Sequence, residues 1–547
     1  MDFEFYKDQL LKYLETEKEL LNADIIANSE LTDEEKIERG YLIEGCRVAD
    51  CKEDCYDLKA TINNSKLRAG DRVVLTKEGE SSKMKAVVVE NFFDTITLIP
   101  NSPLDDEAIY SIHVVEAVLL DHIITLLGNL QDGGTGSSYI KELFGLKDPK
   151  DKGVFAINHS LIDTARPFNS VQLDAIKSVL NRPSLYSIQG PPGTGKTDVL
   201  SEIAQCFSKS GYEVLVVSNT HQAVNNALNK IANKNIGLPI VKIGEVLKAK
   251  ELVPSIKVHK TFSEYLKTRP SRRRPGDKGT IIGMTIHTAI IYQGLQSNSF
   301  SPSVILVDEA GQMPLTYGAT IGTFGAGSIV FIGDDRQMPP LFHSGLHNDE
   351  LSISVFEHVS KKYPQHKTVL DTTYRMNTEI TDVVSKNFYE PYGIKLKSSI
   401  RPTFDQSFEI CNCMYEDVWR DYNVEEAKMV AQKALEYVRK GEEVAIITPF
   451  RKQVNCIAQE IKDLFTKEGI SSCPLVDTVE RLQGQDVDVI IISFSVSDSE
   501  YYKQLRTFIE DSHRLNVMIS RAKKKVILFK SDFVLHEFQE YSQSRVN

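Results

Sequence analysis

The chain has 547 residues, 41% of them hydrophobic and 25% charged, with a net charge of −11 at neutral pH. That length suits three or four domains and that balance is ordinarily globular, which sets disorder aside as the default. An acidic chain has no global electrostatic reason to bind nucleic acid, no run of eighteen apolar residues occurs, and Met1-Asp-Phe-Glu-Phe lacks a secretory pattern; an intracellular, cytoplasmic protein without membrane contact is expected.

Residues 3–24 and 32–44 carry helical periodicity with many charges, which predicts two exposed helices. Eight cysteines fit a reducing compartment. Cys46, Cys51 and Cys55 cluster, as do Cys411 and Cys413, but a structural metal normally takes four close ligands, so plain thiols are expected. The stretches 56–62, 71–76, 84–90 and 94–99 read as short strands separated by turn residues, which suggests a small barrel at about 46–100. A helix is predicted over about 110–130, where Glu116, Asp121 and His122 interrupt the apolar window Val114–Leu130.

From about residue 166 strands and helices alternate. The run Leu185–Ile188 enters Gly190-Pro191-Pro192-Gly193-Thr194-Gly195-Lys196-Thr197, and a helical pattern leaves it. This is the spacing of a phosphate-binding loop: successive backbone N–H groups and a helix N-terminus face a triphosphate, Lys196 reaches the β/γ-phosphates, and the Thr197 hydroxyl can ligate Mg²⁺. A nucleoside triphosphate is therefore the expected ligand.

Continuous apolar runs at 214–217, 280–282, 304–307 and 329–332 read as strands covered on both faces of a parallel sheet. Between Lys242 and Lys278 eleven basic residues face four acidic ones; a solvated face and a partner surface fit that run equally. His343 and His347, four apart, lie in a Gly-containing segment that reads as a loop. Asp308 and Glu309 end the 304–307 strand, at the edge where open parallel sheets keep their ligands. There Asp308 can hold Mg²⁺ together with Thr197, and Glu309 can deprotonate an attacking water. Gln337, after the strand 329–332, is placed to sense a γ-phosphate. A second alternating series follows about residue 350, in 368–370, 444–447, 489–492 and 526–528, without a phosphate loop.

The phosphate loop, Asp308-Glu-Ala-Gly-Gln, Gly333-Asp-Asp-Arg-Gln337, Thr373-Tyr-Arg-Met376, Thr478-Val-Glu-Arg-Leu-Gln-Gly484 and Arg514-Leu-Asn-Val-Met-Ile-Ser-Arg521 occur in that order. This series, over about 166–535, resembles the motif ladder of superfamily 1 helicases, most of all subclass B with its Upf-like and immunoglobulin-μ-binding members. The resemblance implies an α/β fold of two tandem RecA-like parallel-sheet domains, 166–350 and 351–547, behind an accessory region 1–165 made of a helical stalk and a small β-barrel. It implies that Gln172 reads the adenine edge, Tyr374 packs on the base, and Arg375 and Arg521 act as arginine fingers, with Gly484 and Asp486 completing the phosphate side. Glu480 and Asp486 exchange the family's usual Asp and Glu, and Asn377 replaces a frequent histidine.

For the polymer, the resemblance points to Ser218, Asn219 and Thr220, to Gly283 and Thr285, and to Thr448, Pro449, Phe450 and Thr478. Hydroxyls and amides there would grip phosphates without reading sequence, and an aromatic ring would stack a base. The expectation is a monomeric Mg²⁺-ATP-dependent helicase on single-stranded DNA or RNA and duplex junctions, moving 5′ to 3′ if it follows subclass B. The alternative is an ATP-gated clamp or protein-displacing ATPase without processive unwinding.

Overall fold

The computed structural model describes residues 2–535 apart from 30, 53–54, 61–62, 64, 66, 68–71, 81, 93–94, 115–119, 151–156, 235–236, 245–248, 250, 270–275, 296–300, 348, 471 and 480–485. The first helix, Phe3–Ser29, is a stalk that lies on the body of the protein. Phe3, Leu10, Tyr13 and Leu14 are buried in the same core as Leu120, Ile123 and the first large sheet, and the Tyr13 and Ser352 hydroxyls share a 2.9 Å hydrogen bond. The next helix, Asp33–Arg39, starts with a Thr32/Glu35 capping box and stops short of the expected residue 44. Gly40 takes the left-handed conformation (φ 79°), and the Gly40 and Tyr41 N–H groups turn back to the Ile37 and Lys36 carbonyls.

Six antiparallel strands then close a barrel in the order β1-β2-β5-β4-β3-β6. They are β1 (Leu42–Lys52), β2 (Cys55–Lys59), β3 (Arg72–Lys77), β4 (Lys83–Phe92), β5 (Thr95–Pro100) and β6 (Ile109–Val114). Its interior is built by Ile43, Leu58, Val73, Ile96, Leu98 and Ile112 among others. The barrel is longer than its expected span at both ends. Residues 110–114, expected in a helix, alternate instead, with Tyr110 and Ile112 turned inward; among the described residues of 110–130, only Leu120–Gly128 is helical.

The first lobe holds an eight-stranded parallel sheet in the order β10-β9-β11-β8-β12-β13-β7-β14. Its strands are β7 (Leu185–Gln189), β8 (Val214–Ser218), β9 (Ile240–Ile243), β10 (Lys257–His259), β11 (Ile281–Thr285), β12 (Val304–Val307), β13 (Ser328–Gly333) and β14 (Lys367–Val369). Strands β7, β8, β11, β12 and β13 are buried along their whole length, as two covered faces require. Residues 368–370, expected to open the second series, belong to the first sheet: Thr368 pairs with Ile188 at its edge. The preceding helix Val355–Lys362 likewise buries Val355, Phe356 and Val359 in the first lobe's core. The first lobe thus extends past residue 350.

The second lobe is a five-stranded parallel sheet in the order β15-β19-β18-β16-β17, from β15 (Phe408–Asn412), β16 (Val444–Ile447), β17 (Leu475–Asp477), β18 (Val487–Ser493) and β19 (Ala522–Lys530). Among the described residues no helix is long and apolar enough to cross a membrane.

Candidate nucleotide and nucleic-acid site

The chemistry-bearing residues gather at the carboxyl edges of the two sheets. The loop 190–195 leaves β7 and turns into the helix Lys196–Lys209, with Gly193 and Gly195 in the left-handed region (φ 74° and 82°). The glycines are there for space as well as conformation. A Cβ on Gly190 would sit 2.2 Å from the Lys196 side chain, and one on Gly195 would sit 2.7 Å from Gln172 Nε2. The Lys196 ammonium donates to the Gly190 carbonyl, and the Gly190 N–H donates 2.9 Å to the Gly333 carbonyl, which ties the loop to the end of β13.

Asp308 and Glu309 follow β12. Asp308 is buried, and burial, then the neighbouring Glu309, push its carboxyl up to about 7, against the opposing field of Lys196. Glu309 is a non-glycine residue held left-handed (φ 51°), a backbone cost of the kind stored at functional sites. The loop it begins is wedged against the end of β13: a Cβ on Gly311 would meet the Asp334 carbonyl at 2.4 Å, and one on Gly333 the Gly311 nitrogen at 2.6 Å.

The second lobe reaches directly into this region. Gly193 accepts a 2.8 Å hydrogen bond from the Tyr374 N–H, and a Cβ on Gly193 would lie 2.5 Å from both Arg375 Cβ and Thr373 Oγ1. Arg375 Nη2 is 2.7 Å from Asp486 Oδ1, and Nη1 donates to the Ser520 carbonyl. Arg521, 5% exposed, donates 3.2 Å through Nη2 to Gln337 Oε1, and its Nη1 is 3.9 Å from the same Asp486 oxygen. Burial, then the Arg375 charge, press Arg521 down to about 10, with Asp486 and Glu309 opposing. The Nε atoms of both arginines are buried donors without a hydrogen-bond partner among the described residues. Asp486 thus bridges the two guanidiniums; Gly484 and Glu480 lie outside the described residues.

Gln172 is the third residue of the helix Ser170–Leu180, in a capping box with Asn169. Its Oε1 accepts from the Asn169 N–H at 3.0 Å and its Nε2 donates to the Thr194 carbonyl at 2.9 Å. A carboxamide has two lone pairs and two N–H bonds, so these two contacts use one of each. Asn169 Nδ2 also donates 3.0 Å to the Tyr374 hydroxyl, which steadies a ring that is 51% exposed.

This arrangement fits a triphosphate and a divalent cation. The glycine cradle and the two orphaned Nε donors suit phosphate oxygens. Asp308 with the Thr197 hydroxyl is the sparse oxygen donor set that Mg²⁺ accepts when phosphates supply further ligands. The cation's own charge would oppose the upward push on Asp308.

The polymer candidates form one group in each lobe. Ser218 and Thr285 pair in register at the ends of β8 and β11, both buried; the Ser218 hydroxyl has no partner among the described residues, and Thr285 Oγ1 shares a 2.9 Å bond with Thr288. Asn219 Nδ2 donates 2.6 Å to the Gln312 carbonyl, linking this edge to the Asp308 loop, while exposed Thr220 accepts from the Ala223 N–H. Gly283 serves close packing, since a Cβ there would lie 2.6 Å from Leu228 of the helix His221–Lys234. In the second lobe Thr448, with Pro449 and Phe450 after it, and Thr478 follow the paired ends Ile447 and Asp477. Phe450 stands 6.1 Å from Phe508 at a tilt, and the Arg514 guanidinium lies 4.0 Å over Phe508. Asn377, the departure beside Arg375, is the N-cap of the helix Thr378–Val384 and also donates to Ser407 and Lys524.

Sequence reasoning missed three buried residues at the lobe junction. Asp334 and Asn516 lie inside motifs that point first to Gln337 and Arg521, whereas Tyr389 carries no sequence signal at all.

Two AAA-domain families match the chain, one over residues 167–275 and the other over 351–532, together just over half of it. The DNA replication ATP-dependent helicase/nuclease DNA2 of Bos taurus is 26% identical over 527 residues, covering 84% of this chain and 47% of the relative. The corresponding protein of Schizosaccharomyces pombe is 28% identical over 429 residues, covering 71% and 29%. An uncharacterized ATP-dependent helicase of Methanocaldococcus jannaschii is 26% identical over 490 residues, covering 68% and 69%. The chain spans less than half the length of the first two. Among solved structures, the Arterivirus nonstructural protein 10 helicase is similar with a TM-score of 0.42 at 13% identity, over 91% of this chain and 81% of that one. With both AAA domains matched and the motifs in their order along the chain, the chain belongs to the superfamily 1 ATP-dependent helicases of the Upf-like type.

Proposed function

We propose that this protein is a Mg²⁺-ATP-driven motor that moves along single-stranded nucleic acid, 5′ to 3′, and unwinds duplex at a junction. The observation that supports it most is the convergence of Arg375 and Arg521 from one lobe on Gln337 and the phosphate loop of the other. Lys196 and the loop amides bind the β- and γ-phosphates, Gln172 and Tyr374 hold the adenine, and Glu309 takes the proton of the attacking water. Thr197 and Asp308 would hold Mg²⁺, which would supply Lewis-acid neutralisation of phosphate charge. Arg375 and Arg521 meet the charge that builds in the transition state, so hydrolysis proceeds only when the lobes are together. Closing and reopening changes the spacing between the Ser218/Thr285 and Thr448/Thr478 groups, and with it the grip on the strand.

Steady-state ATP turnover with and without a single strand, followed by strand separation on a 5′-overhang duplex, tests this. Stimulation together with unwinding is expected. Stimulation without unwinding would make the protein an ATP-gated clamp, and turnover indifferent to any oligonucleotide would remove nucleic acid from the mechanism.

A further inference from the structure

The loop Asp334–Gln337 of the first lobe is seated in a socket of the second, and the contacts there reach beyond the arginine fingers. Asp334 is a carboxylate only 3% exposed, so its oxygens need donors. Oδ1 accepts from the Arg336 N–H at 3.2 Å and from Gln189 Nε2 at 3.3 Å. Oδ2 accepts from Gln337 Nε2 at 2.7 Å and from the Tyr389 hydroxyl at 2.5 Å. Tyr389 is fully buried and ends a π-helical turn, Ser385–Tyr389, a local irregularity often found at functional sites. Asn516 Nδ2 donates to the Tyr389 oxygen at 2.9 Å and to the Arg336 carbonyl at 2.7 Å. The Arg336 guanidinium lies 3.7 Å over the Tyr392 ring, close by in the same segment.

This chain of contacts has a direction. Gln337 can offer its oxygen to Arg521 only while its amide nitrogen faces Asp334, because the flipped amide would set oxygen against carboxylate. Asp334 therefore decides which end of Gln337 meets the arginine finger. Tyr389 is the one donor to Asp334 from the second lobe among the described residues. Burial, then the Asp334 charge, hold the Tyr389 phenol well above its ordinary value, so it stays a donor.

We propose that Tyr389 is a positioning residue for ATP turnover: its hydroxyl fixes Asp334, Asp334 orients Gln337, and Gln337 aims Arg521. This rests on the ATP-hydrolysis reading above. The socket seats the loop in the second lobe, so the finger is aligned when the lobes are together. The phenol's contacts run to Asp334 and Asn516, so its loss should act on the transition state rather than on binding.

The test is Tyr389→Phe in the full chain, measured alone and on an Arg521→Ala background. Losing one charge-assisted hydrogen bond should lower kcat about tenfold, with KM for ATP within about twofold of the parent. On the Arg521→Ala background the same substitution should cost nothing further, since there is no finger left to aim. Turnover within about twofold of the parent, or an equal proportional loss on both backgrounds, would overturn the proposal; the second result is what general loosening of the lobe junction produces. If Tyr389→Phe does not fold, Asp334→Asn can set amide against amide at Gln337 and must show the same kcat-only loss. Wild-type turnover that ignores added strand would sink the nucleic-acid motor, yet the ratio between parent and Tyr389→Phe would still decide the role of Tyr389.

Discussion

At the scale of single residues, the proposed roles separate binding from chemistry cleanly enough for substitutions to tell them apart. Lys196→Ala removes the charge proposed to meet the phosphates, so ATP affinity and turnover should fall together, read as lost nucleotide binding in equilibrium titration. Glu309→Gln keeps the shape and the phosphate contacts but removes the base; ATP should bind with near-normal affinity while turnover drops by about 10² to 10⁴. Near-normal turnover by Glu309→Gln would strip Glu309 of that role. Gly193→Ala should do harm of another kind. The left-handed backbone (φ 74°) costs an alanine about 1 kcal/mol. Its Cβ would also press at 2.5 Å on Arg375 Cβ and Thr373 Oγ1, so the second lobe must back away. Turnover should then fall at least about tenfold even at saturating ATP, because a displaced finger is lost from the transition state. Lys196, Asp308 and Glu309 were legible because a phosphate loop and a strand-end carboxylate are local patterns. Tyr389 was not, because what makes it matter is an oxygen of Asp334 on the other lobe. Gly283 and Thr285 show the converse: the motif was readable, but burial beneath Leu228 and the Thr288 contact are properties of packing that spacing does not report.

At the scale of elements, local signals serve well where an element makes its own boundaries and poorly where a partner makes them. The buried strands β7, β8, β12 and β13 and the loops after them stand where their apolar runs put them. Three-residue β14 reads as part of the wrong sheet because nothing in Thr368-Val-Leu says that Ile188 is its neighbour. Strand β6 reads as helix because the apolar window beginning at Val114 overlaps it, and β1 is partly hidden behind the helix that Gly40 ends. These corrections change how the barrel can be tested. Cutting away the whole N-terminal region would expose the core that Phe3, Leu10, Tyr13 and Leu14 share with the first lobe. Excising the barrel alone is gentler, since Leu42 and His113 are cross-strand partners and the chain enters and leaves side by side. Replacing 42–113 with a short Gly/Ser linker should leave basal ATP turnover within about twofold, the nucleotide cleft being elsewhere, while unwinding of a 5′-overhang duplex falls sharply. Lys452, two residues after Phe450, is held above its ordinary value by Asp421 and, more weakly, by Glu38 at the base of the barrel. Equal loss of ATPase and unwinding after excision would instead make the barrel a structural prop.

At the scale of the whole molecule, the proposed motor has one nucleotide cleft between its two lobes and one candidate polymer group on each, which imposes a thermodynamic constraint. If ATP closes the cleft and closure alters the grip on the strand, ATP must change strand affinity by some factor, and the strand must change ATP affinity by that same factor. Glu309→Gln is the form in which to measure it, because it should hold ATP without consuming it. Anisotropy of a labelled strand with and without ATP gives one arm, and titration of ATP with and without unlabelled strand gives the other. A factor of about 5 to 150 in both arms is expected for coupling of ordinary strength. The sign separates a grip that tightens on closure from one that loosens, and a motor needs one or the other. The chain's net charge of −11 makes the strand arm depend on local contacts at the sheet edges, so its affinity should also fall as salt rises, read as a linear decline of log K with log salt. The two factors must agree at each salt concentration, whatever their size. Two arms that both return no effect would mean that the arginine junction and the polymer edges do not communicate, and closure could then drive no movement along a strand.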